Sequence, residues 1–171
     1  PRRVGLMGYK VRHPVLLLLF NRPEFARSTL ESIKQVRPDR LYISIDGPRE
    51  GVPDDERLCG QVRSLAASLN WDCDVQIQAF ESNQGCSRAV VAGIDWLFTH
   101  EDRGIILEDD CEPSVSFFQS CDFGLEECAE EESVMLVSGF NPFGQWHLDR
   151  DLERSRRPRT RDRPGHVRPV P

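Results

Sequence analysis

The chain has 171 residues, 39% of them hydrophobic, with 22 basic and 28 acidic side chains and a formal net charge of −6. This length is sufficient for one domain with its own core. The longest uncharged apolar run, residues 15–20, is far too short to cross a bilayer, and the sequence shows no secretory leader pattern. We therefore expect a soluble, cytoplasmic protein without a transmembrane segment.

The six cysteines predict neither a zinc site nor a disulfide framework. They form no CxxC pair and have no histidine at metal-site spacing beside them. Because the chain is long enough to build a core without cross-links, we expect reduced and mostly buried thiols.

Short apolar runs alternate with amphipathic patterns along most of the chain. The runs have the length and composition of buried strands and lie at residues 15–20, 41–46, 75–80, 104–108 and 134–140. Apolar residues at helical spacing lie between them, at residues 26–36, 58–69, 87–98 and 118–128. The order βαβαβαβαβ predicts an α/β fold with a mostly parallel sheet and helices on both faces.

In such sheets ligands bind beyond the carboxyl ends of the strands, so the residues that end each strand are the candidates for a site. The strongest candidate is Glu108-Asp109-Asp110, which directly follows the fourth apolar run. Three carboxylates at the end of a buried strand repel one another and are costly to desolvate without a cation. Mg²⁺ or Mn²⁺ prefers oxygen ligands, takes one or two carboxylates and leaves positions for substrate phosphates. A solvated acidic turn is the alternative, and the position after a buried strand favours the metal.

Other strand ends carry residues suited to a nucleotide. Arg22 could pair with a phosphate, or be an ordinary loop arginine. Asp46 could accept hydrogen bonds from a base or ribose, or simply form an Asp-Gly turn. Asn83, Gly85 and Arg88 lie where a helix begins, and free N–H groups at such a point suit a diphosphate. The absence of GxGxxG after the first strand and of GxxxxGK[ST] anywhere disfavours a dinucleotide fold and a P-loop NTPase.

Five segments, in this order, resemble the donor half of GT-A glycosyltransferases. They are the apolar run ending in Phe20-Asn21-Arg22-Pro23, then Ile45-Asp46-Gly47, Asn83-Gln84-Gly85, Ile106-Leu107-Glu108-Asp109-Asp110 and Val137-Ser138-Gly139-Phe140-Asn141. The likeness is to bacterial family 2-like sugar transferases and, more distantly, to N-acetylglucosaminyltransferase I. The resemblance covers roughly residues 14–144 and implies a Rossmann-like GT-A nucleotide-diphosphosugar transferase fold.

The resemblance also implies roles by position. Asp110 matches the last acid of the family's Asp-X-Asp variant, which coordinates the Mn²⁺ or Mg²⁺ that bridges the donor diphosphate. Asp46 matches the acid near the uracil or ribose, and Arg22 the cation near the phosphates. The other residues implied to line the donor site are Asn21, Asn83, Gly85, Arg88, Glu108 and Asp109. The implied activity is metal-dependent transfer of a sugar from a nucleotide-diphosphate sugar, with a UDP-sugar expected, to a hydroxyl of a glycan or other acceptor.

Three segments are expected: residues 1–13 as an N-terminal extension, residues 14–144 as the donor-binding domain, and residues 145–171 as an Arg/Pro-rich tail. Residues 154–171 contain seven arginines and one aspartate and have too few apolar side chains to fold, so we expect disorder there. The tail lacks interleaved aromatic residues and the rest of the chain is strongly acidic, so no nucleic-acid partner is expected.

Family members continue beyond the Ser-Gly-Phe-Asn segment into an acceptor half that carries the general base. Because an Arg/Pro-rich segment follows here instead, we expect a truncated or frame-shifted reading of a longer gene. One alternative interpretation is therefore a catalytically inactive remnant or nucleotide-binding module. A nucleotidyltransferase is another, although Asn21-Arg22-Pro23 matches the glycine-rich basic loop of those enzymes poorly.

Overall fold

The computed structural model describes residues 8–131 and 133–136. Within them eight elements alternate, which confirms the predicted order as far as the fourth helix. The strands are β1 (Val15–Leu19), β2 (Arg40–Ile45), β3 (Asp74–Ala79) and β4 (Ile105–Glu108). The helices are α1 (Pro23–Gln35), α2 (Pro53–Ala67), α3 (Cys86–Phe98) and α4 (Val115–Glu127). In this part of the chain no helix has both the length and the apolarity that a membrane crossing requires.

The four strands form an all-parallel sheet in the order β3-β2-β1-β4. The chain first moves in one direction, from β1 to β2 and then β3, and α3 then carries it back to the opposite edge, where β4 pairs with β1. The strand order therefore reverses between β1 and β4, and a crevice outside the carboxyl ends at such a reversal is where open α/β sheets bind ligands.

Both faces of the sheet are covered, as the continuous apolar run of β1 predicts. Alternate residues of β1 point to opposite faces. Val15, Leu17 and Leu19 belong to the larger core cluster with buried residues of α1, α2 and α4. Leu16 and Leu18 belong to a smaller cluster beneath α3. For this strand order right-handed crossovers require α1 and α2 on one face and α3 on the other, and α4 packs on the same face as α1 and α2.

Residues 8–13 pack against the sheet domain. Val11 is buried, and its backbone N–H donates to the carbonyl of Val36 at 2.8 Å, beyond the end of α1. The Tyr9 hydroxyl donates to Asp122 of α4. Val11, an apolar residue in this basic and aperiodic segment, therefore completes the core. The expected boundary at residue 14 falls within packed structure.

The fifth predicted strand falls mostly outside the described residues. Residues 134–136 have irregular backbone, and the N–H of Val134 closes a turn onto the carbonyl of Glu131 at 2.9 Å. Residues 137–140 lie outside the described residues, as does the whole predicted tail at 145–171. The six cysteines are all described and all free, but only Cys59 is buried, so the expectation of mostly buried thiols is wrong. Cys73, Cys111 and Cys121 are half-buried and pack against the larger core cluster, Cys128 is half-buried, and Cys86 is exposed.

Candidate functional site

Strands β1 and β4 bring a cation and two carboxylates together at the point where the strand order reverses. Arg22 follows β1, and its Nη1 lies 3.1 Å from Asp110 Oδ2 and 3.4 Å from Asp109 Oδ1. Glu108 ends β4 in register with Leu18, and its side chain is exposed. The strand-end argument therefore brought Arg22, Asp109 and Asp110 together correctly, although they are separated by more than 80 residues in the chain.

The two carboxylates differ in their surroundings. The side chain of Asp109 is only 9% exposed whereas that of Asp110 is 50% exposed. Burial raises the pKa of Asp109, and the attraction of Arg22 lowers it by less. Arg22 in turn has a raised pKa, first because of Asp109 and then because of its hydrogen bond to Asp110. A partly desolvated carboxylate that lies beside other acids is stabilised by a cation, and here that cation is Arg22.

A buried threonine holds the acidic turn against α1. The Thr29 hydroxyl lies 2.8 Å from the carbonyl of Asp109 and 2.6 Å from that of Cys111, and Thr29 is fully buried. Both oxygens are acceptors, so the single hydroxyl proton is shared between them. The contact orients the backbone on either side of Asp110. In the sequence Thr29 is an unremarkable residue between apolar positions of a helix, and no local pattern signals its role.

Replacing Thr29 with valine, which is nearly the same size, tests the contribution of the two contacts of the Thr29 hydroxyl, which we call the Thr29 clamp. We expect a loss of about 1–2 kcal/mol in the free energy of unfolding, because two buried carbonyls lose their donor. Chemical denaturation measures the loss, with Ser32→Ala as the control, since the Ser32 hydroxyl bonds, among the described residues, only to the carbonyl of Ser28 in its own helix. A Thr29→Val variant as stable as the wild type would show that the clamp contributes nothing.

Asp46, at the end of β2, is buried and holds the loop between β3 and α3. Its Oδ1 accepts from the N–H groups of Gly47 and Gln84, both at 2.8 Å, and its Oδ2 accepts from Asn83 Nδ2 at 2.8 Å. Two oxygens with about four lone-pair positions keep one position free, on Oδ2. The structure thus brings Asp46 and Asn83 into contact, and it uses Asp46 mainly to shape the loop.

Gly85 and Arg88 lie at the start of α3. Gly85 is the residue before the first helical turn and has φ +80°, which glycine adopts without strain. Its N–H donates to Asn83 Oδ1 at 3.1 Å. Arg88, in the first turn of α3, is exposed, and its side chain makes no hydrogen bond or ion pair with any residue that the structure describes. Its guanidinium is therefore open to an anionic ligand.

Asn21 belongs to a polar cluster that the sequence did not reveal. Its Nδ2 donates to Asp55 Oδ1 at 2.7 Å. Arg49 donates to both oxygens of the same carboxylate, from Nε at 2.5 Å and from Nη2 at 3.0 Å. The hydrogen bonds from Arg49 and Asn21 hold the pKa of Asp55 well below its usual value although burial opposes them. The charge of Asp55 had indicated only a helix N-terminus, but its side chain ties the end of β1 to the start of α2.

The acidic pair supplies part of the ligand shell that Mg²⁺ or Mn²⁺ needs, and a substrate phosphate would supply more of it. Within residues 8–131 and 133–136 no three His, Cys, Asp or Glu side chains form a group able to hold a metal. Asp110 offers a half-exposed carboxylate and Asp109 a buried one. Mg²⁺ characteristically uses one or two carboxylates and completes its shell with water and substrate phosphates, which is compatible with this pair.

An open groove of about 440 Å³ lies beside Arg22, between the first turn of α1 and the second and third turns of α2. Phe25 and Leu58 contribute apolar surface to it, and the ring centroid of Phe25 is 5.9 Å from the Arg22 guanidinium carbon. The Arg22 side chain thus has the acidic pair on one side and open space on the other.

Comparisons with known proteins do not identify the chain. No family model matches it, and neither a curated protein nor a solved structure does. The structure itself shows an α/β architecture with a parallel four-stranded sheet, and a contact of Arg22 with Asp109 and Asp110 at the strand ends.

Proposed function

We propose that the protein is a metal-dependent glycosyltransferase of the GT-A kind, which takes a nucleotide-diphosphate sugar, expected to be a UDP-sugar, as donor and a hydroxyl group as acceptor. The observation that carries the proposal is the contact of Arg22 with Asp109 and Asp110 at the strand-order reversal. This position is where sheets of this type bind ligands, and a guanidinium beside two carboxylates suits a diphosphate accompanied by a divalent cation. The order of motifs in the sequence supports the same function.

In this proposal the residues of the site act on the leaving group. When bound, Mn²⁺ or Mg²⁺ would neutralise charge that develops on the departing nucleoside diphosphate. Asp110 would hold that ion from its exposed carboxylate, and Asp109 would add negative charge from the turn that Thr29 fixes. Arg22 would pair with a phosphate oxygen, and Arg88 extends a second cation from the start of α3.

The β3–α3 loop supports the donor less directly. The free lone pair of Asp46 Oδ2 is available to a ribose or base, while its other hydrogen bonds keep Asn83 and Gln84 in place. Gly85 begins α3 without a side chain, which leaves the first N–H groups of the helix open to a phosphate. A nucleotidyltransferase is a weaker candidate, because no glycine-rich loop follows β1.

Calorimetric titration of the full chain with UDP, with and without Mn²⁺, tests the donor site. We expect binding that needs Mn²⁺ and is weakened about 100-fold by Asp110→Asn, equivalent to about 2.7 kcal/mol. Asp102→Asn is the matched control, because Asp102 is exposed and precedes β4 at the opposite end of the strand. UDP binding of equal affinity with and without Mn²⁺, or no UDP binding, would contradict the proposal. A transfer assay with UDP-sugars then separates an active enzyme from a nucleotide-binding module.

A further inference from the structure

Arg22 lies between the carboxylates of Asp109 and Asp110. One atom, Nη1, makes both contacts, at 3.1 Å to Asp110 and 3.4 Å to Asp109. Among the described residues it is the one basic side chain paired with either acid. A guanidinium and a divalent cation carry the same sign of charge, so they cannot share these two oxygens without strong repulsion.

The surroundings of Arg22 allow it to leave. Its side chain is 49% exposed, and the groove between α1 and α2 opens beside it. The Phe25 ring, which is half exposed, lies 5.9 Å from the guanidinium carbon and gives Arg22 an aromatic contact in addition to the acids. The contact with the half-exposed Asp110 costs little to break, whereas the buried Asp109 needs another cation when Arg22 leaves.

We infer that Arg22 is an exchangeable counter-ion of the site: it neutralises Asp109 and Asp110 in the empty protein and transfers to the diphosphate when a divalent cation takes its place. This inference rests on the proposed function, since it requires that cation and diphosphate bind together. No covalent step is involved, because one ion pair is exchanged for another.

The exchange has a thermodynamic consequence that can be measured. Arg22 opposes a divalent cation that arrives alone, because the guanidinium must give up two carboxylates and gains no new partner. With a diphosphate present, Arg22 gains a phosphate in exchange. Cation and nucleotide therefore bind cooperatively, and by linkage each raises the affinity of the other by the same factor.

Mn²⁺ titration of the full chain, followed by the electron paramagnetic resonance signal of free Mn²⁺, tests the exchange. Relative to the wild type, Arg22→Gln is expected to bind Mn²⁺ alone about 10-fold more tightly and to show a correspondingly smaller enhancement of Mn²⁺ affinity by UDP. The control is Arg27→Gln, which removes the same charge from an exposed position of α1 that makes no ion pair within the described residues. It is expected to behave as the wild type does.

The outcomes separate the exchange from the proposed function. If the wild type binds UDP with Mn²⁺ but Arg22→Gln has the wild-type affinity for Mn²⁺ alone, the exchange is wrong and the donor site stands. An equal gain in Arg27→Gln would attribute the effect to net charge and would also overturn the exchange. If none of the three proteins binds Mn²⁺ or UDP, the proposed function is wrong and the exchange falls with it.

Discussion

Replacing Gly47 with alanine is expected to destabilise the fold by about 3 kcal/mol and to lower the melting temperature by about 10 °C. A Cβ at this position would lie 2.4 Å from the carbonyl carbon of Ser82 and 2.6 Å from the carbonyl oxygen of Phe80. Both are backbone atoms, so no side chain can rotate away to relieve the contact. The loop between β3 and α3 would have to move.

The same movement would disturb the candidate site. The loop is held to the end of β2 by hydrogen bonds from Asn83 and Gln84 to Asp46, and displacing it by an ångström would break them. We therefore expect Gly47→Ala to weaken UDP binding as well as to lower stability. Thermal unfolding followed by circular dichroism, together with the calorimetric titration, measures the two effects.

Gly60→Ala is the matched control for Gly47→Ala. Gly60 lies on the exposed side of α2, and a Cβ there would meet no atom within 4 Å. Because alanine has the higher helix propensity, this variant is expected to be more stable than the wild type by about 0.5–1 kcal/mol. A Gly47→Ala protein that melts at or above the wild-type temperature would show that the loop adjusts at little cost.

The elements of this fold were predictable because their signals are local. The apolar run of β1 is buried on both faces, and the helix that follows begins at Pro23, where proline and the acidic Glu24 indicated a start. That Arg22 and the acidic turn lie at the same edge of the sheet followed from one further rule, that parallel strands bring their carboxyl ends to one edge, but their direct contact depends on β4 pairing with β1. The order β3-β2-β1-β4 was not predictable in this way, since nothing in the sequence specified the strand beside which β4 would pair.

The residues that the sequence did not reveal act over long separations. Asp55 is 34 residues from Asn21, and Thr29 is 80 residues from Asp109. The residues next to a polar side chain in the sequence do not show whether that side chain is buried, because the same helical pattern can pack against different neighbours. Burial and partners are properties of the folded contact, so only the structure distinguishes Asp55 from the solvated acids beside it in α2.

Asp122 is the clearest case of such a hidden residue, and its removal is expected to cost about 3 kcal/mol. Its side chain is fully buried in α4. Besides the Tyr9 hydroxyl, it accepts from the N–H groups of Arg12 at 2.9 Å and His13 at 3.2 Å, and His13 Nδ1 lies 2.7 Å from Oδ1. One carboxylate thus fixes the segment that leads into β1. Asp122→Ala leaves each of these donors without an acceptor.

Asp122→Asn is a more conservative test of the same cluster. The amide preserves the shape of the carboxylate but directs an NH₂ group at donors that need an acceptor, so most of the loss in stability is expected to remain. Tyr9→Phe removes one donor and is expected to cost about 1 kcal/mol. Urea denaturation measures these free energies, and Asp102→Asn, which removes an exposed charge, is expected to match the wild type.

The contribution of Asp122 is also expected to depend on pH. Burial raises its pKa, but the hydrogen bonds from Tyr9, Arg12 and His13 outweigh burial, and the pKa in the folded protein is lowered. An aspartate with a lowered folded-state pKa stabilises the fold fully above its unfolded value of about 3.9 and loses that effect as the pH falls through the folded value. The free-energy difference between the wild type and Asp122→Asn should therefore be constant between about pH 5 and pH 4.5 and shrink below about pH 4.

The comparison isolates Asp122 from the other acids. Asp55, whose pKa is also lowered, is present in both proteins, so its titration cancels in the difference. A difference that stays constant to about pH 3 would mean that the carboxylate charge does not hold the segment before β1. In that case the cost of Asp122→Asn would reflect the altered hydrogen-bonding geometry alone. If the free-energy difference between the wild type and Asp122→Asn decreases as the pH falls, and decreases less in a Tyr9→Phe background, the stabilisation comes from the charged Asp122 and its hydrogen bonds.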